Sequence, residues 1–83
     1  MYDLVSFVSR GKIRKKILKN LSEPKTPTQL SVKIGTHRST ISRAILSLEG
    51  KKLLKCLTPN EKLGRYYSIT ETGKKVLKLM REE

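Results

Sequence analysis

Glycine and proline punctuate this chain so closely that none of its elements can be long. Breaks fall at Gly11, across Glu23 to Pro27, at Gly35, at Gly50, across Pro59 to Gly64 and at Gly73. Proline cannot continue a helix interior, and glycine ends helices and turns strands, so the fold must be built from short units joined by tight connections. With 83 residues the chain is expected to form one small domain, 1–83, around a modest core.

The spacing of apolar residues identifies the units. Leu4, Val5, Phe7 and Val8 form a short apolar surface, enough for a helical turn or two. From Lys12, the residues Ile13, Ile17, Leu18 and Leu21 recur at helical spacing, and the other face carries Lys12, Arg14, Lys15, Lys16 and Lys19. After the EPKTP break, Thr28 to Ile34 reads as a short helix with Leu30 and Ile34 inward, closed by Gly35. Thr36 is a good cap for the next helix, about 37–49, whose inner stripe is Ile41, Ala44, Ile45 and Leu48. LLKCLT and RYYSIT are β-prone runs flanking PNEKLG, so about 53–69 reads as a hairpin. Thr70 caps a last helix with Val76, Leu77 and Met80 inward.

Charge narrows the choice of partner. Nineteen Lys and Arg against seven Asp and Glu give a formal +12, a density that suits a polyanion. Nucleic acid leads, an anionic membrane surface comes second, and general solubility is the plain alternative. Apolar residues make up 36% of the chain, with no run approaching the roughly 20 residues of a membrane span. The start MYDLVSFVSRG lacks the basic front and cleavage site of a secretory signal, so a cytoplasmic location is expected.

The acidic residues Asp3, Glu23, Glu49, Glu61, Glu71, Glu82 and Glu83 are scattered, with no paired carboxylates for acid and base work and no glycine-rich phosphate loop. No catalytic residues are expected, and the chain is not expected to be an enzyme. One cysteine, Cys56, and one histidine, His37, are too few for a metal cluster. No metal, cofactor or small-molecule effector is expected. Cys56 reads as a space-filling strand residue.

In GTHRSTISRAILSLEGKKLL, small hydroxyl and basic residues crowd the start of a helix whose opposite stripe is apolar. Such a helix can approach a surface closely. Ser39, Thr40 and Ser42 can meet phosphate oxygens and base edges, while Arg38 and Arg43 reach further with forked donors. A short helix, a tight glycine turn and this second helix make a helix-turn-helix, whose second member lies in the major groove. Thr36, His37, Ser47 and Lys51 flank that surface and join the candidate DNA contacts. Each has a plainer role: Ser39 and Thr40 as caps, the basic residues as solvated charge, and His37 as a lone exposed side chain.

SVKIGTHRSTISRAILSLEGKKLL, the hairpin and YYSITETGKKVL together resemble the winged helix-turn-helix of prokaryotic transcriptional regulators of the MarR- and ArsR-like kind, over roughly residues 12–80. The resemblance implies a mainly α fold (α+β): a three-helix core, a β-hairpin wing and a C-terminal helix. It also implies a sequence-specific binder of double-stranded DNA, with the helix of 37–49 in the major groove. Lys62 and Arg65 in the wing would then touch the backbone or minor groove. Tyr67, Ile69, Thr70 and Gly73 match the family's Tyr-x-Ile/Leu-Thr-x-x-Gly stretch. One departure concerns the turn before the leucine pair. The family usually has glycine there, whereas here Lys52 holds the place and Gly50 comes earlier.

Two other classes fit the same residues: a winged-helix module that binds protein or RNA within a larger machine, and a nonspecific basic protein that packages DNA. A homodimer reading a palindrome is also expected. Leu4, Val5, Phe7, Val8 and Leu79 could supply its interface, or could simply extend the core of one chain.

Overall fold

A computed structural model describes residues 2–81; Glu82 and Glu83, counted above among the scattered acids, lie outside the described residues. The chain runs α1 (Tyr2–Ser9), α2 (Lys12–Lys19), α3 (Pro27–Ile34), α4 (Arg38–Gly50), β1 (Leu54–Cys56), β2 (Tyr67–Ile69) and α5 (Glu71–Arg81). Helices α2, α3 and α4 pack on one another, the hairpin joins α4 through β1 and α5 through β2, and α1 closes the assembly against α2 and α5. The fold is mainly helical with a two-stranded antiparallel wing, as expected.

The core draws on every element: Val5, Val8, Ile17, Leu18, Leu21, Leu30, Ile41, Ile45, Leu48, Leu53, Leu54, Tyr67, Ile69 and Val76 are buried, and among the described residues no charged side chain is. Val5 and Val8 sit inside it, and Leu4, Phe7 and Leu79 pack against it. Val5 and Val8 thus belong to the core of one chain, while Leu4, Phe7 and Leu79 are only partly buried. A small three-helix core leaves an open flank, and α1 covers it.

Local chemistry sets the element ends. Thr26 and Gln29 form a reciprocal capping box at the start of α3: the Gln29 N–H donates to Thr26 Oγ1 at 3.2 Å, and the Thr26 N–H donates to Gln29 Oε1 at 2.9 Å. Pro27 occupies the first helical turn, where its missing N–H costs nothing. Gly35 ends α3 in the left-handed conformation (φ 80°), and the amides of Gly35 and Thr36 both donate to Ser31 O, at 2.8 and 3.1 Å. The closure carries the turn one residue further than expected, and α4 begins at Arg38. The residue flanking α4 is therefore His37, whose side chain makes no cap hydrogen bond, and the expected Thr36 cap is not formed.

The far end of α4 also departs from expectation. The helix continues through Gly50 instead of stopping at Glu49, and Lys52 takes the left-handed backbone (φ 62°). The Lys52 N–H donates to Glu49 O at 2.9 Å and the Leu53 N–H to Leu48 O at 2.9 Å. Leu48 and Leu53 are both fully buried. This is a Schellman closure, with lysine where glycine usually stands.

Tyr67, Ile69, Thr70 and Gly73 of the YSIT-x-x-G stretch each have a physical role. Tyr67 pairs with Cys56 across the hairpin and exchanges backbone hydrogen bonds with Lys25, at 2.9 and 3.1 Å, so the EPKTP break adds a third edge to the wing. The register brings Leu54 opposite Ile69. Thr70 Oγ1 donates to Lys52 O at 2.7 Å and accepts from the Gly73 N–H at 3.0 Å, which ties the α4–β1 turn to the start of α5. Gly73 is buried inside α5 and is no break: a Cβ there would lie against Leu53 O and the Ile69 side chain. Only a residue without a Cβ lets α5 come so close.

The strands are shorter than the β-prone runs. Leu53 belongs to the helix closure, and beyond Cys56 pairing dwindles to the Leu57 N–H donating to Tyr66 O at 2.8 Å. The connecting segment thus spans 57–66. Thr58 holds it from within: its carbonyl accepts from the Glu61 N–H at 3.1 Å and its hydroxyl from the Tyr66 N–H at 3.0 Å. Cys56 is half-buried against the core, and Tyr67 is buried while Tyr66 is exposed.

Candidate nucleic-acid interface

Helix α4 turns Ile41, Ile45 and Leu48 to the core, so the residues diametrically opposite are Ser39, Arg43, Leu46 and Gly50, all exposed. Arg38 and Ser42 lie one helical turn apart on the flank toward the wing. Thr40 and Ser47 lie on the other flank, with Thr40 half-buried.

One open groove gathers residues from three parts of the chain: Arg38 and Ser42 from α4, Thr28 from α3, and Lys62, Gly64 and Arg65 from the wing. Arg38 Nη1 donates to Thr28 Oγ1 at 3.4 Å, a long bond that aims the guanidinium along the groove. Arg65 Nε donates to Glu61 O, which braces the wing while its remaining guanidinium donors stay free for other acceptors. Helix α4 begins at Arg38, which lines this groove. Its first amides have no side-chain acceptor, in contrast to those of α3 and α5. An uncapped helix start with arginine beside it favours an anion electrostatically.

Among the described residues, ion pairs join only Lys25 to Glu23 at 3.9 Å and Lys74 to Glu71 at 3.4 Å. Neither involves Arg38, Arg43, Lys62 or Arg65, so among the described residues these four cations have no carboxylate partner.

Other expected contacts lie elsewhere. Thr36 and His37 border a separate hollow with Ser31, Val32 and Gly35 at the α3–α4 turn. The Ser47 hydroxyl donates back to Arg43 O at 3.2 Å, within its own helix. The Lys51 ammonium lies 5.6 Å from the centre of the Phe7 ring, beside the Arg14 guanidinium at 4.0 Å, and so points to α1 rather than to the groove. Arg14 also donates to Phe7 O at 2.8 Å, which removes it from the free basic face of α2.

Three residues escaped the sequence reading. Thr28 enters the groove through a helix packing that only the fold creates. Leu46, 65% exposed, was legible: it stands three residues after Arg43 and seven after Ser39, on their face. Leu63, 88% exposed at the wing tip, carries no signal beyond its place in a polar loop. Among the described residues, no three His, Cys, Asp or Glu side chains come together in a way that could hold a metal ion, and no helix is long and apolar enough to cross a membrane.

The chain has the winged helix-turn-helix fold of MarR-family transcription regulators. The transcriptional regulator Tm0710 from Thermotoga maritima matches 96% of the chain at a TM-score of 0.80 and 24% identity, over 58% of its own length. NMB1585, a MarR-family regulator from Neisseria meningitidis, matches 98% at 0.77 and 20% identity, over 61% of its length. A variant of ZitR from Lactococcus lactis matches 87% at 0.76 and 20% identity, over 51% of its length. The chain thus spans roughly half to three fifths of these structures. No family model matches the sequence, and neither does any curated protein.

Proposed function

We propose that this chain binds double-stranded DNA by sequence and acts in transcriptional regulation, with α4 in the major groove and the wing on the adjacent backbone. The observation that carries this is the groove joining Arg38 and Ser42 to Lys62 and Arg65 beside an uncapped helix start. An α-helix fits the major groove of B-DNA, and cations on either side of it meet the two phosphate rails. Shape alone would not favour DNA; the formal +12 charge does. The likeness to transcription regulators points the same way.

Within this proposal the exposed stripe Ser39, Arg43 and Leu46 reads base edges. Arg43 is suited to guanine O6 and N7, and Leu46 to a thymine methyl. Thr40 and the free amides of the first turn take phosphate. Lys62 and Arg65 hold backbone, and Leu63 sits nearest the minor groove. Thr36, His37, Ser47 and Lys51 are secondary contacts, since their side chains border the turn or are engaged within the protein. The chain acts by binding, in the cytoplasm, with no cofactor or effector. Two copies would read a palindrome, because one α4 spans only a few base pairs.

Selection of bound sequences from a random duplex pool tests the proposal. A regulator enriches one motif and prefers it to random duplex by about 4 kcal/mol or more. Recovery of unenriched DNA would favour packaging. Failure to hold any duplex at moderate salt, while structured RNA or a protein partner binds, would favour a module of a larger machine.

A further inference from the structure

We propose that the outer faces of α2 and α5 form a second site for duplex phosphate, on the side of the molecule away from α4, through which one bound chain can hold a second duplex. On α2, Lys12, Lys15, Lys16 and Lys19 recur at i, i+3, i+4 and i+7, opposite the buried Ile17 and Leu18. On α5, Lys74, Lys78 and Arg81 recur at i, i+4 and i+7, opposite the buried Val76. The two helices pack together, and Lys19, Lys74 and Arg81 converge on the rim of one groove floored by Leu18 and Leu77.

Every exposed residue of these two helices is charged, and among them only Glu71 is acidic. Like charges four apart repel along a helix: Lys12 and Lys16, Lys15 and Lys19, and Lys74 and Lys78 all do so. Glu71, paired with Lys74 at 3.4 Å, offsets one of them; the pair is exposed and exchanges readily for phosphate. Stability alone would not select such a surface.

Direction separates this face from the first site. Helices α2 and α4 pack through their buried stripes, so their outer faces point away from each other across the core. A duplex seated on α4 leaves the α2–α5 face open. Composition selects duplex over lipid. Membrane-bound helices insert an apolar face, whereas here the apolar side chains Ile13, Leu77, Leu79 and Met80 pack against the core. Regularly spaced phosphates require only regularly spaced cations. The second site stands by itself; bridging of two duplexes rests on the α4 site proposed above.

Two measurements on the full chain test this. In a magnetic resonance titration with a duplex of arbitrary sequence, the amides of 15–19 and 74–81 should shift. In a capture assay, protein held on an immobilised duplex should retain a second, fluorescent duplex. The variant Lys19→Glu/Lys74→Glu/Arg81→Glu should keep the immobilised duplex yet capture the second at least tenfold less well. Losing three phosphate contacts should also flatten the salt slope of capture by about 2.7. Circular dichroism checks folding, and Lys19→Gln/Lys74→Gln/Arg81→Gln replaces the charge reversal if that variant fails to fold.

Unshifted α2 and α5 amides, or capture by the variant equal to that of the native chain, would overturn the second site. So would amides that move with phosphatidylserine vesicles and not with duplex. Shifts on α2 and α5 with none on α4 would instead sink the first site and leave the second standing.

Discussion

Lys52 adopts a conformation that costs any residue with a Cβ about 1–2 kcal/mol, and Lys52→Gly removes that cost. Glycine gives part of the gain back, about 0.4–1 kcal/mol, because the unfolded chain becomes more flexible. Nothing else changes on the folded side: the Lys52 side chain is exposed, and the backbone carbonyl that accepts from Thr70 Oγ1 remains. The net gain is about 0.7 kcal/mol, which for a chain of this size raises Tm by about 3–6 °C. Thermal and urea unfolding followed by circular dichroism measure it. Removing a positive charge from a +12 chain could also stabilise, so Lys52→Ala is the control. Alanine removes the charge and keeps the Cβ, and should unfold within about 0.3 kcal/mol of the native chain. If alanine stabilises as much as glycine, charge explains the effect and the backbone argument is refuted. Gly50→Ala completes the comparison: Gly50 lies in the last turn of α4 with open space around it, so alanine should add about 0.5–1 kcal/mol.

Gly73→Ala should act in the opposite direction, costing about 1–3 kcal/mol by urea unfolding, because the new methyl meets a backbone carbonyl that cannot step aside. An unchanged midpoint would mean that α5 does not approach Leu53 as described. Arg43→Ala should weaken binding to a selected duplex by about 1–3 kcal/mol and relax discrimination at one base step, measured by fluorescence anisotropy across single-base variants. An equal loss on every sequence would assign Arg43 to phosphate. Lys62→Ala should weaken all duplexes alike and flatten the salt slope by about 0.9; a constant slope would take the wing tip off the DNA.

The order of elements was legible because periodicity and punctuation are local. Ile41, Ala44, Ile45 and Leu48 recur at helical spacing whatever surrounds them, and the left-handed close at Gly35 follows from glycine alone. The misjudged ends differ by a residue or two. Thr36 is suited to cap α4, but the closure of α3 extends through the Thr36 amide and the helix starts one residue later, which puts His37 at the cap position. Gly50 and Gly73 looked like breaks and proved helical: Lys52 closes α4 in place of the first, and the second is glycine because Leu53 is near.

The sequence by itself determined the charge, the short helices and hairpin, and the stripe on α4 that carries Ser39 and Arg43, since each depends on residue type and spacing along one segment. Tertiary structure decided which charges meet. It brought Lys62 and Arg65 to Arg38, set Thr28 beside them, turned Lys51 and Arg14 onto Phe7, and joined Lys19 to Lys74 and Arg81. Helix packing and hairpin register fix those distances, and both are set by a core whose contacts run between residues far apart in the chain.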